Sequence, residues 1–250
     1  MENRKHGLSE RALKIWGLGF TLLWIAGRTL SRMIMKDGAG EVLAEKLDSI
    51  PYMMPLATVI LILEAAATCA VPVFAALTLE GVGSTRSFGR YALRVALLAL
   101  VSEIPYDLLM TGSYFSLSVQ NPAFGILVCL AVVYFFNRYE GKSFQELLIR
   151  SVVILAAAAW CLLGRVEYGM QLLLCVTVLW IFRRDRSRWG LAAMMGAALS
   201  ILFSPFFLAA PMGAILLHFY NGERGEGSRR GFYLVFPLAL LAGGLVSLAF

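Results

Sequence analysis

Nearly the whole chain is a succession of long apolar runs separated by short polar and basic segments, and that succession limits the folds available to it. A helix needs about 20 apolar residues to cross the hydrocarbon core of a bilayer, and runs of that kind begin near residue 14 and recur to residue 250. The runs are continuous rather than alternating, which excludes the period-2 pattern of an outer-membrane barrel. Of the 250 residues, 59% are hydrophobic and only 15% are charged, where a soluble domain carries about 25% charged residues. The expectation is an all-α polytopic transmembrane bundle forming a single domain over 1–250.

Nine spans are predicted, at about 14–34, 54–79, 91–111, 120–137, 147–164, 168–183, 189–204, 206–220 and 232–250. The stretch 189–220 is too long for one crossing at about 1.5 Å per residue, and Ser204, Pro205 and Pro211 mark where it breaks. With the N-terminus in the cytosol, seventeen Lys and Arg fall on the cytosolic side and three (Lys36, Lys46 and Arg165) outside, with Arg28 and Arg32 in the end of the first span. That asymmetry is what the positive-inside rule demands. The net charge of +6 therefore reads as a topology signal rather than a nucleic-acid footprint. The basic N-terminus and its apolar run read as an uncleaved signal anchor, and residues 35–53 as the largest segment outside the bilayer.

Cys69, Cys129, Cys161 and Cys175 all fall inside apolar runs without CxxC spacing and read as buried thiols. His6 and His218 are far apart, with no carboxylate or thiol at ligand spacing, so no metal site is expected.

Charged groups inside a bilayer are costly and mark function by default. Glu64 lies mid-way along the second span, either as a functional carboxyl or as a packing partner of Arg28. The densest polar stretch runs from Glu80 to Asp107. It opens with a glycine-containing turn at Glu80-Gly81 that leads to Arg86, continues through Arg90, Tyr91 and Arg94, and closes with Glu103, Pro105, Tyr106 and Asp107. Arg90 and Arg94 share one helical face. Snorkelling accounts for Arg86 but less well for Arg94, one turn deeper. The guanidinium fork suits phosphate, which makes an anionic cytosolic ligand the functional reading. The last cytosolic loop, Tyr220-Asn221-Gly222-Glu223-Arg224-Gly225, has the composition of an ordered turn.

Taken in order, these segments resemble the TraX family. The likeness runs through Val71-Pro72-Val73-Phe74, Leu79-Glu80-Gly81, Thr85-Arg86, Tyr91-Ala92-Leu93-Arg94 and Ser102-Glu103-Ile104-Pro105-Tyr106-Asp107-Leu108, with Asn121 and Phe124 after it. It resumes at Tyr220 to Gly225, Phe232-Tyr233 and Phe236-Pro237-Leu238. The resemblance implies a bacterial inner-membrane acyltransferase of the conjugation-associated pilin acetylase type. It would use acetyl-coenzyme A or another acyl-coenzyme A from the cytosol and a protein or other amine or hydroxyl acceptor. By that likeness Arg86, Arg90, Tyr91, Arg94, Asn221 and Arg224 are the expected coenzyme-binding residues, with Glu80, Tyr106, Asn121 and Tyr220 as further motif positions.

The departures bear on chemistry. The family's Asp-His pair in the first span aligns with Trp24 and Ile25, its Gly-Arg before the proline helix with Ala67-Thr68, and its last histidine with Ala239. Three readings follow: an acyltransferase using Glu64, Glu103 or Asp107 as base, a non-catalytic binding or partner subunit, and a small-molecule or lipid transporter with Glu64 on its path. The missing histidines predict slow turnover, with Ile25→His and Ala239→His as the changes that would restore it.

Overall fold

The computed structural model describes residues 7–34, 53–225 and 231–249, and all secondary structure among them beyond isolated bridges is helical. The expected outer segment up to residue 52, His6 and the Arg229-Arg230 pair lie outside the described residues. The helices are α1 (Glu10–Ile34), α2 (Met53–Ala67), α3 (Ala70–Ser84), α4 (Phe88–Thr111), α5 (Pro122–Arg138), α6 (Phe144–Leu163), α7 (Gly169–Ile181), α8 (Trp189–Ser200), α9 (Ala210–His218) and α10 (Gly231–Ala249). Among the described residues two stretches are long and apolar enough to cross a membrane, Met54–Ser84 and Phe144–Leu163.

Each apolar run is helical, with one departure from the sequence reading. The run expected as a single second span divides into α2 and α3 at Thr68 and Cys69. Pro72 has no N–H to give the carbonyl of residue 68, and its ring crowds that carbonyl. The chain tightens there into i→i+3 bonds from Cys69 N–H to Ala66 (3.2 Å) and from Val71 N–H to Thr68 (3.1 Å). The expected break in 189–220 falls at Ser204, where a short 3-10 turn over Pro205–Ala209 precedes α9.

Local chemistry sets the other ends. Asn121 caps α5 by accepting from Ala123 N–H at 2.9 Å, with Pro122 pre-set in the first turn. Ser143 and Glu146 close a reciprocal capping box on α6. Gly112 ends α4 at φ 72°, its N–H returning to the Leu108 carbonyl.

Helix α3 is the central element, packed against α1, α5, α7, α8 and α9. Val73, Ala75 and Ala76 on it are fully buried, together with Cys129, Leu179, Ala193, Ala197, Ala210 and Ala214. Small residues let helix backbones approach closely. A Cβ on Gly196 would stand 2.8 Å from Cys175 Cα, and one on Gly213 would stand 2.2 Å from the Cys69 carbonyl oxygen. All four cysteines are free and buried.

Helix α6 is the opposite case. Among the described residues its packing is mainly along α5 and α7, and 11% of its most apolar window is buried. Leu147, Leu155, Trp160 and Leu163 stand exposed on it. A helix apolar all round and uncovered by protein belongs in an apolar solvent.

The basic loops gather at one end of the bundle. Leu8 bridges Tyr220, Arg186 donates to the Gly222 carbonyl at 3.3 Å, Arg224 to the Ser84 carbonyl at 3.4 Å, and Arg183 and Arg184 both pair with Glu140. At the other end Gln120 bridges Val166, joining the α4–α5 and α6–α7 links.

Candidate functional site

The α3–α4 link explains why two separate motifs go together. Gly81 lies against the Tyr91 ring: a Cβ there would fall 2.4 Å from the phenol oxygen. Glu80 and Gly81 lie in the closing turns of α3 and not in the turn expected from the sequence, because the helix runs on to Ser84, and it is the bare glycine there that admits Tyr91 from the start of α4. Thr85 is extended and its Oγ1 accepts from Ser87 N–H at 3.4 Å, so the chain reverses in three residues and displays Arg86. Arg90 and Arg94 follow one turn apart, Arg94 Nε donating to the Arg90 carbonyl at 3.2 Å.

These side chains ring the mouth of a cavity of about 620 Å³ between α1, α3, α4, α5, α7 and α10. Lys14, Arg86, Arg90, Arg94 and Arg224 supply its cations, and Tyr91 and Tyr233 line it beside them. Arg86, Arg90, Arg94 and Arg224 take no part in the ion pairs found among the described residues, whereas Arg183, Arg184, Arg186 and Arg188 all do. Inward from the mouth the walls are apolar, with Leu18, Phe74, Val95, Ile126 and Phe236, and the deep end carries Trp24, Ala67, Glu167, Tyr168 and Leu172.

Of the residues expected to bind an anion, Arg86, Arg90, Tyr91, Arg94 and Arg224 thus share one cavity. Asn221 does not line it. Its side chain accepts from Glu223 N–H at 2.9 Å and donates to the Gly7 carbonyl at 3.3 Å, which fixes the loop carrying Arg224. Tyr220 and Glu80 are both buried beneath that loop, with Arg186 Nη2 at 2.8 Å from Glu80 Oε1.

None of the expected bases opens on the cavity. Glu103 accepts from the side chain of Asn121 and, at 3.3 Å, from its backbone N–H. Asp107 is buried and accepts from Ser116 N–H at 2.8 Å, shaping the link after α4. Glu64 pairs with Arg28 Nη1 at 3.5 Å.

The residue that sequence reasoning passed over is Glu167. Arg28 Nη2 lies 3.0 Å from its Oε1, and the fully buried Tyr106 donates its hydroxyl to Oε2. Glu167 follows Arg165 in a link that reads as an ordinary loop. The available signal was Arg28, a guanidinium inside an apolar span that demands an acidic partner.

Trp24, Ile25, Tyr106, Leu109 and Leu240 form a buried cluster against which Phe236 and Ala239 pack. Trp24 stacks on Tyr106 at 6.1 Å between ring centroids and meets Tyr168 edge-on at 6.4 Å. The two positions where histidine was expected, Ile25 and Ala239, therefore belong to one apolar cluster at the cavity floor. A family model described as TraX protein matches residues 47–247, more than half of the chain. No curated protein and no solved structure matches it. With the glycine–tyrosine contact, the arginine-ringed mouth and the ordered last loop all inside that match, the chain belongs to the TraX family.

Proposed function

We propose that this protein is a polytopic membrane acyltransferase that takes acyl-coenzyme A into the cavity, with the coenzyme's phosphates on the arginine rim and the thioester directed down the apolar shaft. The observation that carries the reading is that one cavity joins five cationic side chains at its mouth to a buried carboxylate at its floor. Its volume of about 620 Å³ lies within the range of roughly 300–1,000 Å³ typical of small-molecule sites. Guanidinium groups are the side chains best shaped to hold phosphate. An acceptor amine or hydroxyl, on a protein or a smaller molecule, would meet the thioester in the shaft.

In this reading the bundle crosses the bacterial inner membrane about nine times, with the N-terminus and the arginine-rich end in the cytosol. Support comes from the excess of Lys and Arg in alternate loops and from the contacts that gather those loops at one end. The cytosolic mouth then faces the compartment that holds coenzyme A.

A second reading, a subunit that binds the coenzyme without turning it over, draws on the apolar side chains at Trp24, Ile25 and Ala239. Titration calorimetry of the purified protein with acetyl-coenzyme A, run beside an assay of thiol release, separates the two. Binding with release supports the transferase. Binding without release, together with release by the Ile25→His, Ala239→His double variant, supports the silent subunit. Absence of binding sinks both.

A further inference from the structure

Resting on the acyltransferase reading, we infer that Glu167 is the catalytic base: its carboxylate takes the proton from the attacking acceptor and returns it to the leaving thiolate. Among the described residues that line the cavity, only Glu10 and Glu167 carry carboxylates, and none is a histidine. Glu10 sits at the mouth in an ion pair with Lys14. Glu167 is therefore the acid–base group at depth, where an acyl thioester entering from the arginine rim would come to lie.

Its surroundings hold it in one place. Burial pushes the Glu167 carboxyl above the usual carboxylate range and the Arg28 guanidinium opposes that shift, while the two donors, Arg28 on Oε1 and Tyr106 on Oε2, engage both oxygens and fix the rotamer. Each carboxylate oxygen has a second lone pair, which leaves acceptor capacity for an incoming N–H or O–H. The same arginine also reaches Glu64, so its charge is shared between two acids and does not bury Glu167 in a closed one-to-one pair.

The backbone supports the same assignment. Arg165 and Tyr168, on either side of Glu167, adopt φ of 47° and 57°, the left-handed region that residues with bulky side chains avoid. Strain of this kind persists where surrounding structure over-determines it. Here Gln120 N–H donates to the Arg165 carbonyl at 3.1 Å and Glu167 N–H to the Gln120 carbonyl at 3.0 Å. The link held in this way presents the Glu167 carboxylate to Arg28 and Tyr106.

The step balances within the groups named. The acceptor N–H or O–H gives its proton to Glu167 as its heteroatom bonds to the thioester carbon. The tetrahedral species then collapses with cleavage of the carbon–sulfur bond, the electron pair leaving on sulfur. The resulting thiolate recovers the proton from the Glu167 carboxylic acid, so the products are an acylated acceptor and free coenzyme A thiol.

The test uses the full chain in nanodiscs with acetyl-coenzyme A, following thiol release with water and then glycinamide as acceptor, alongside calorimetric binding. Glu167→Gln is expected to cut release by about 100-fold or more, in line with the worth of general base help. Binding of acetyl-coenzyme A should stay within about twofold, since the arginine rim is untouched. Glu167→Asp keeps the charge opposite Arg28 while withdrawing the carboxylate by one methylene, which guards against a folding failure of the first variant; it should lose about tenfold in release at unchanged affinity. Undiminished release by either variant overturns the assignment of Glu167, as does a wild type that binds acetyl-coenzyme A yet releases no thiol to either acceptor. A wild type that does not bind acetyl-coenzyme A removes the acyltransferase reading itself.

Discussion

Arg94 is where charge and place coincide, because it stands in the second turn of α4, lines the cavity and has no carboxylate partner among the described residues. Charge-assisted hydrogen bonds contribute roughly 1.5–3 kcal/mol each, so Arg94→Ala is expected to weaken coenzyme A binding by about tenfold or more, read by calorimetry. Gly81→Ala tests the same wall differently. A methyl 2.4 Å from the Tyr91 phenol must drive that ring aside, and coenzyme A affinity should fall although no charge is altered. The arginines were legible from sequence because a guanidinium beside an apolar run stands out against its neighbours. Glu103 and Asp107 stood out for the same reason and turn out to serve as acceptors for Asn121 and Ser116. An acid in an apolar segment signals a buried partner, and the identity of that partner is a property of the folded chain. Glu167, sitting between helices, gave no such contrast.

Among the elements, apolar runs translate reliably into helices, whereas breaks inside them depend on single residues. The division of α2 from α3 follows from Pro72 and was hidden by the unbroken hydrophobicity around it. That break creates a packing surface for α9, where Gly213 rides directly on the Cys69 backbone. Backbone cannot move aside as a side chain can, so Gly213→Ala should destabilise the protein by about 1–3 kcal/mol, the usual cost of overpacking. Thermal unfolding in a single detergent would show it as a lowered midpoint. An unchanged midpoint would mean that the α2–α3 junction yields more readily than its geometry implies.

For the molecule as a whole, the basic loops occupy one end and the 112–118 link the other, and the buried cysteines leave the native protein silent to impermeant thiol reagents. Ser187→Cys is expected to label only from the cytosol, and Ser113→Cys only from the far side. Labelling of both from one side would break the proposed crossing pattern. The charge bias along the chain made this arrangement legible, since it repeats loop after loop. The cavity was not legible, because it is assembled from helices widely separated in sequence. The parallel bridge between Leu8 and Tyr220, with Leu8 N–H on the Phe219 carbonyl at 2.8 Å and Asn221 N–H on the Leu8 carbonyl at 3.0 Å, also sets a timetable. An early stretch of this chain is secured by a much later one, so the leading residues of α1 stay unfastened until the loop at Tyr220 has been made. The mouth of the cavity, which needs both Lys14 and Arg224, cannot be complete before then.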